Sequence, residues 1–238
     1  MAEMLLILAH RHDIAARELA ARWNGDVILL TPADLHTERL LLTVSQRGRA
    51  RAELRSRPSV TAVLSRLGGV GPADLDHVDP QDLAYAATEL DAFLRAWLLA
   101  WPGPVVNRPT ATCLNGPGWR PEQWSLAAAA AGLSVRPAHR LVATAGTSRS
   151  RLAPDRAVAA CAEPNGDPAR VTVVGDRCFG PVPGDLGRRL CALARMAGCT
   201  LIEAIVDACG TVLHAGAWPD VSAPDVADAL LPFLDGAS

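Results

Sequence analysis

The sequence predicts an α/β fold, with a parallel sheet in the N-terminal part and a smaller α+β unit after it. Three observations carry this. The chain opens on strand, helix, strand, the arrangement that builds parallel sheets. Its early strands are unbroken apolar runs, which marks strands covered on both faces. Its last third instead shows strand–turn–strand pairs, which marks antiparallel pairing. With 238 residues, half of them hydrophobic, the chain can bury a sizeable core.

The first strand is the apolar run from Met4 that ends at His10. A helix follows, with Asp13 as its cap, Ile14, Leu19 and Trp23 on one face, and Gly25 at its end. Residues 26–35 give a second strand running into a loop. Residues 39–58 are arginine-rich and polar and read as an exposed hairpin or loop. Residues 59–71 form another strand, with Arg66 near its end. The amphipathic segment 80–101 is a long helix bounded by Pro80 and Pro102. A short strand ends at Asn107, and residues 120–135 form a helix with proline in the first turn and glycine at its end.

From residue 143 to 169 the chain is rich in Ala, Arg, Ser, Pro and Gly, with a weak strand signal at 157–163. Residues 170–182 then read as strand, turn, strand. A helix follows over 184–198, and residues 199–216 form a hairpin turning at 208–210. The closing helix spans 222–234, with Ser222 as its cap. Domain boundaries are expected at 1–110, 111–142 and 143–238.

The formal net charge is −2, which gives no basic footprint for nucleic acid. No apolar run reaches the length of a membrane span, and the N-terminus lacks a signal-peptide pattern. A cytoplasmic protein with reduced cysteines is expected. All 23 basic residues are arginine. The chain therefore has no amine side chain to form a Schiff base or clamp a phosphate as a point charge.

Four segments, in order, resemble the ATP-grasp superfamily, in particular the short ligases that modify ribosomal peptides or link amino acids. They are the opening strand and helix (residues 7–23), the segment 104–144 with its strand ending in Asn107, the strand pair 171–180, and the hairpin 200–220. The resemblance implies a Rossmann-like pre-ATP-grasp domain followed by an ATP-grasp domain. It also implies ATP and magnesium as cofactors. Two departures stand against that. The subdomain that grips the triphosphate with two lysines has little room between residues 144 and 170, and this chain has no lysine. In the hairpin, Glu203 matches the family's first acidic metal ligand, but His214 and Gly216 replace the second acidic residue and the asparagine. Magnesium takes hard oxygen ligands, and a carboxylate plus an imidazole supplies them poorly. No metal and no cofactor are therefore expected.

The candidate acid/base pair is Glu203 and His214, expected to face each other across adjacent strands; an ordinary polar cross-strand pair is the alternative. Candidate ligand-binding residues are His10, Arg11, His12 and Asp13 at the end of the first strand, where open α/β sheets bind ligands. Arg66, Asn107 and Arg108 are expected at the ends of neighbouring strands. Arg120 lies in a segment whose Trp119 and Trp124 can frame a binding face or simply pack. Cys178, beside Arg177 at a turn, is either a reactive thiol or a bystander.

The expected function is that of a degenerate ATP-grasp-like protein, a pseudoenzyme of peptide or amino-acid natural-product biosynthesis. It would bind a peptide or small carboxylate, or run a step that does not use ATP. An active ATP-dependent carboxylate–amine ligase is the alternative. A third reading is a non-catalytic partner of a complete ATP-grasp ligase, or a homodimer.

Overall fold

The computed structural model describes residues 4–23, 25, 27–137, 166–182 and 184–234. The weak strand signal at 157–163 and Cys161 lie outside them.

Four strands form a parallel sheet: β1 (Met4–Leu8), β2 (Val27–Leu30), β5 (Val60–Ser65) and β6 (Val105–Val106), in the order β2-β1-β5-β6. Both faces are covered, as the apolar runs require. Helix α1 (Ile14–Arg22) and the final helix α5 (Pro224–Leu234) cover one face. There Leu5, Ile7, Ala62 and Leu64 meet Ala16, Leu19, Val226 and Leu230. The long helix α2 (Leu83–Leu99) covers the other, packing Leu94, Trp97 and Leu98 against Leu6, Leu8 and Val63.

Residues 39–58 do form a hairpin, from β3 (Leu40–Val44) and β4 (Ala50–Leu54). It is less exposed than its charge suggests. Ala52 and Leu54 are buried in the same core as α2, because β4 alternates apolar and charged side chains. The apolar face of α1 also differs from expectation: Leu19 and Trp23 are buried, whereas Ile14 faces solvent.

The second sheet is antiparallel, in the order β10-β9-β7-β8. Its strands are β7 (Ala169–Val174), β8 (Arg177–Phe179), β9 (Leu201–Val206) and β10 (Val212–Gly216). Helices α3 (Pro121–Ala130) and α4 (Leu186–Met196) cover one face, packing Trp124, Ala128, Leu190 and Leu193 on Val171, Val173, Ile202, Ala204 and Ala215. Asp207 shapes the β9–β10 turn by accepting from the amides of Cys209 and Thr211. Ser222 does not cap α5; its hydroxyl donates to Asp220 Oδ1 at 2.6 Å. No helix among the described residues is long and apolar enough to cross a membrane.

Candidate functional site

Most of the residues expected to line a crevice at the strand ends are held by the protein's own groups. Asp13 caps α1, accepting from Ala16 N at 2.9 Å. It also receives Arg66, whose Nε donates to Asp13 Oδ2 at 2.7 Å and whose Nη2 donates to Oδ1 at 3.3 Å. Nη1 of Arg66 donates to Pro219 O at 2.9 Å. The pair is almost out of water, with side-chain exposures of 7% and 13%. A ligand carboxylate reaching Arg66 would have to displace Asp13.

Asn107 adopts a left-handed backbone (φ 53°), a conformation asparagine tolerates better than most residues. Its Nδ2 donates to Leu201 O at 2.6 Å, and its Oδ1 accepts from the amides of Thr200 and Leu201. It thus ties the parallel sheet to the start of β9. Arg108 donates to the carbonyls of Leu98, Leu99 and Gly103, closing the C-terminal end of α2. His10 Nδ1 lies 3.0 Å from Asp74 Oδ1, and Arg11 pairs with Asp76 and with the Ala73 carbonyl. His12 and Arg120 are exposed.

The hairpin expectation needs a correction of register. Glu203 stands opposite Gly216, and His214 stands opposite Ile205. On the other side of β9, Thr172 pairs with Glu203 and Arg170 with Ile205. Paired residues share a sheet face. Arg170, Thr172, Glu203, Ile205, His214 and Gly216 therefore lie on one face, with Arg170 and His214 on the two diagonals from Glu203. Arg170 takes the carboxylate, its Nη1 donating to Glu203 Oε2 at 2.6 Å. The Glu203 side chain is 9% exposed and that of Arg170 is 57% exposed, so a guanidinium from the wet side neutralises a nearly buried acid.

Beside this face a cavity of about 300 Å³ runs along β10. Its walls include Glu203, His214, Gly216, Trp119, Trp124 and Trp218. Trp119 and Trp124 meet edge to face at 5.0 Å. Asn115 holds the loop carrying Trp119 to the end of β10, its Nδ2 donating to Ala217 O at 2.8 Å. Trp218 Nε1 donates to Arg66 O at 3.1 Å, while the residue stays 42% exposed. Close by, the Ser222 hydroxyl, its backbone and the charges of Arg170 and Arg66 hold Asp220 below the usual carboxylate range.

The arrangement combines an apolar, aromatic wall with an imidazole and a neutralised carboxylate. It suits a ligand with an extended or aromatic body and a few polar groups. The Glu203 carboxylate is held by the Arg170 guanidinium, and the His214 imidazole and Gly216 lie on the same sheet face. Among the described residues, no group of three or more His, Cys, Asp or Glu could hold a metal ion.

Arg170 and Trp218 were not singled out from sequence. Alternation within β7 separates Arg170 and Thr172 from Val171 and Val173, but only the pairing of β7 with β9 makes theirs the Glu203 face. Cys178 is half-buried, and burial and its neighbour Cys191, 3.6 Å away, push its pKa up to about 12, away from the range of an activated thiol. Arg177 lies over the Phe179 ring instead.

The chain joins a parallel sheet to an antiparallel sheet whose β9 and β10 carry Glu203, His214 and Gly216. Solved structures of ATP-grasp ligases share this fold. The ATP-grasp ligase PsnB, complexed with a minimal precursor, aligns with 98% of this chain and 99% of its own at 15% identity and a TM-score of 0.64. The macrocyclase MdnC of Microcystis aeruginosa MRC, bound with precursor peptide MdnA, aligns with 98% and 99% at 13% identity and a TM-score of 0.67. A Chryseobacterium gregarium RiPP-associated ATP-grasp ligase, in complex with ADP and a leader and core peptide, aligns with 99% and 97% at 12% identity and a TM-score of 0.64. The chain thus has the ATP-grasp fold. No protein-family model and no curated protein matches the sequence.

Proposed function

We propose that this protein is a peptide-binding member of a natural-product biosynthetic system that keeps the ATP-grasp scaffold without its ordinary ATP-dependent ligation. The observation that carries this reading is the Arg170–Glu203 contact on a sheet face whose other family metal positions are His214 and Gly216. Phosphoryl transfer depends on positioning and on neutralising charge with metal ions and cations. Here the remaining carboxylate already has a cation, and the chain has no lysine.

In this reading the tryptophan-lined cavity holds a peptide segment or small carboxylate, and His214 contacts its polar group. The division at residues 110 and 142 belongs to the same proposal. It makes 1–110 the pre-ATP-grasp domain, 111–142 the connector and 143–238 a reduced ATP-grasp domain. The solved structures of the same fold with bound precursor peptides support a peptide as the ligand class.

Tryptophan fluorescence tests it. Short peptides and simple dicarboxylates are expected to give a saturable change that is lost in Trp218→Phe and weakened in His214→Ala. Turnover of ATP to ADP coupled to a carboxylate–amine bond would establish the active ligase and sink this reading.

A further inference from the structure

A second concave surface, sharing no lining residue with the tryptophan cavity, lies beside the β3–β4 hairpin. Residues 38–58 carry six arginines and two glutamates, a net charge of +4 in a chain whose total is −2. The β3–β4 hairpin does not scatter these charges evenly. A groove of about 620 Å³ runs beside β4, between it, the start of β5 and the end of α2. Ala52, Leu54, Pro58, Val60, Trp101 and Pro102 supply its apolar lining, while Arg51, Arg55 and Arg57 stand at its walls.

The guanidiniums there are incompletely neutralised. Arg51 and Arg55 share one carboxylate, Glu53, each through Nε at 3.5 Å from a different oxygen. Both are well exposed, at 71% and 63%. Each is therefore an exposed cation whose closest approach to Glu53 is made by Nε, not by its Nη groups. Arg57 differs, because Glu38 holds it at 3.1 Å.

We propose that this groove binds an acidic peptide segment in extended form. Its Glu or Asp side chains would be gripped by Arg51 and Arg55, and its backbone would lie over the apolar floor. Guanidinium forks match carboxylates in two-point geometry. The cavity is of the size that takes a few residues. Single-stranded nucleic acid is the less suited polyanion, since it needs exposed rings for bases to stack on. The aromatic residue lining the groove is Trp101, which is buried and whose Nε1 donates to Thr61 O at 3.2 Å. The inference rests on the proposed function only in taking a peptide as the ligand class; the groove and the tryptophan cavity are lined by different residues.

The test is fluorescence anisotropy of the full chain with a labelled peptide of alternating Glu and Ala, its Gln/Ala counterpart and a short oligothymidylate. The Glu peptide is expected to bind at low salt and to lose affinity steeply as salt screens the pairs. The Gln peptide is expected to bind about tenfold more weakly or worse, and Arg51→Gln/Arg55→Gln to weaken the Glu peptide by a similar factor. Both side chains are exposed, so the double variant should melt like the parent protein. Restoring basicity with Arg51→Lys/Arg55→Lys should recover part of the affinity. Equal binding of the Glu and Gln peptides would overturn the proposal. So would a double variant that binds normally, or an oligothymidylate that binds more tightly than the Glu peptide. His214→Ala leaves this binding unchanged if the groove is the site and abolishes it if the peptide sits in the tryptophan cavity, which would also overturn the proposal.

Discussion

Replacing Arg66 by Met should unfold this protein at a markedly lower temperature. Arg66 makes two hydrogen bonds to Asp13 and one to Pro219 O, with both charged side chains nearly buried. Removing one partner leaves the Asp13 carboxylate without its counter-charge at the end of β1, where it still accepts from the α1 amide. Breaking such a pair costs about 3–5 kcal/mol, because the remaining charge stays desolvated. For a chain of this length, each kcal/mol lowers the melting temperature by about 2–4 °C, so the loss is roughly 6–20 °C. Asp13→Asn keeps the helix cap but removes the charge, and it too should destabilise. The double variant should then lose less than the sum of the two single changes, because each single change has already broken the pair. Differential scanning calorimetry of the four proteins measures this. A loss below about 1 kcal/mol for Arg66→Met, the range of an exposed pair, would refute the claim that Arg66 is a structural cation.

Three further outcomes follow from the same geometry. Asn107→Ala should lower the urea midpoint strongly, because it strands the Thr200 and Leu201 amides and the Leu201 carbonyl at about 1–3 kcal/mol each; Asn107→Gly relieves the backbone but should not restore them. Asp220 has a depressed pKa in the folded state, so its contribution is present at neutral pH and is lost as pH falls through that lowered value; Ser222→Ala should move the Asp220 titration upward by NMR. At pH 8, thiol labelling followed by mass mapping should modify exposed Cys209 quickly and leave Cys178 and Cys199, both with pKa pushed to about 12 chiefly by burial, unmodified until the chain unfolds.

Much of the fold could be read from local pattern. The unbroken apolar runs gave β1, β2 and β5, and the glycine-bounded strand pairs gave β7–β8 and β9–β10. Helix ends were legible where a cap or proline marks them, as at Asp13 and Pro121. What local pattern does not hold is which polar groups meet. Arg66 and Asp13 are separated by 53 positions, and Asn107 and Leu201 by 94. Read along the chain, these residues sit at strand ends, where ligands bind; folded, they find one another. The hairpin shows the same limit on a smaller scale. A register shift between Val212 and His214 brings Gly216 opposite Glu203, where unbroken pairing would bring Ala215, and it is this shift that puts His214 on the Glu203 face. Nothing in the spacing announces that shift. Arg170 entered the site through a third strand, whose place beside β9 is a matter of topology.

Thermal unfolding with magnesium and ATP, or magnesium and ADP, tests the central claim most directly. A ligand at 100-fold excess over its Kd adds about 2.7 kcal/mol, roughly 5–11 °C here. With Glu203 held by Arg170, His214 and Gly216 beside it, and no lysine to grip the phosphates, the melting temperature should not move with nucleotide concentration. A saturable, magnesium-dependent rise of several degrees would contradict the account and make this protein a nucleotide-using ATP-grasp enzyme.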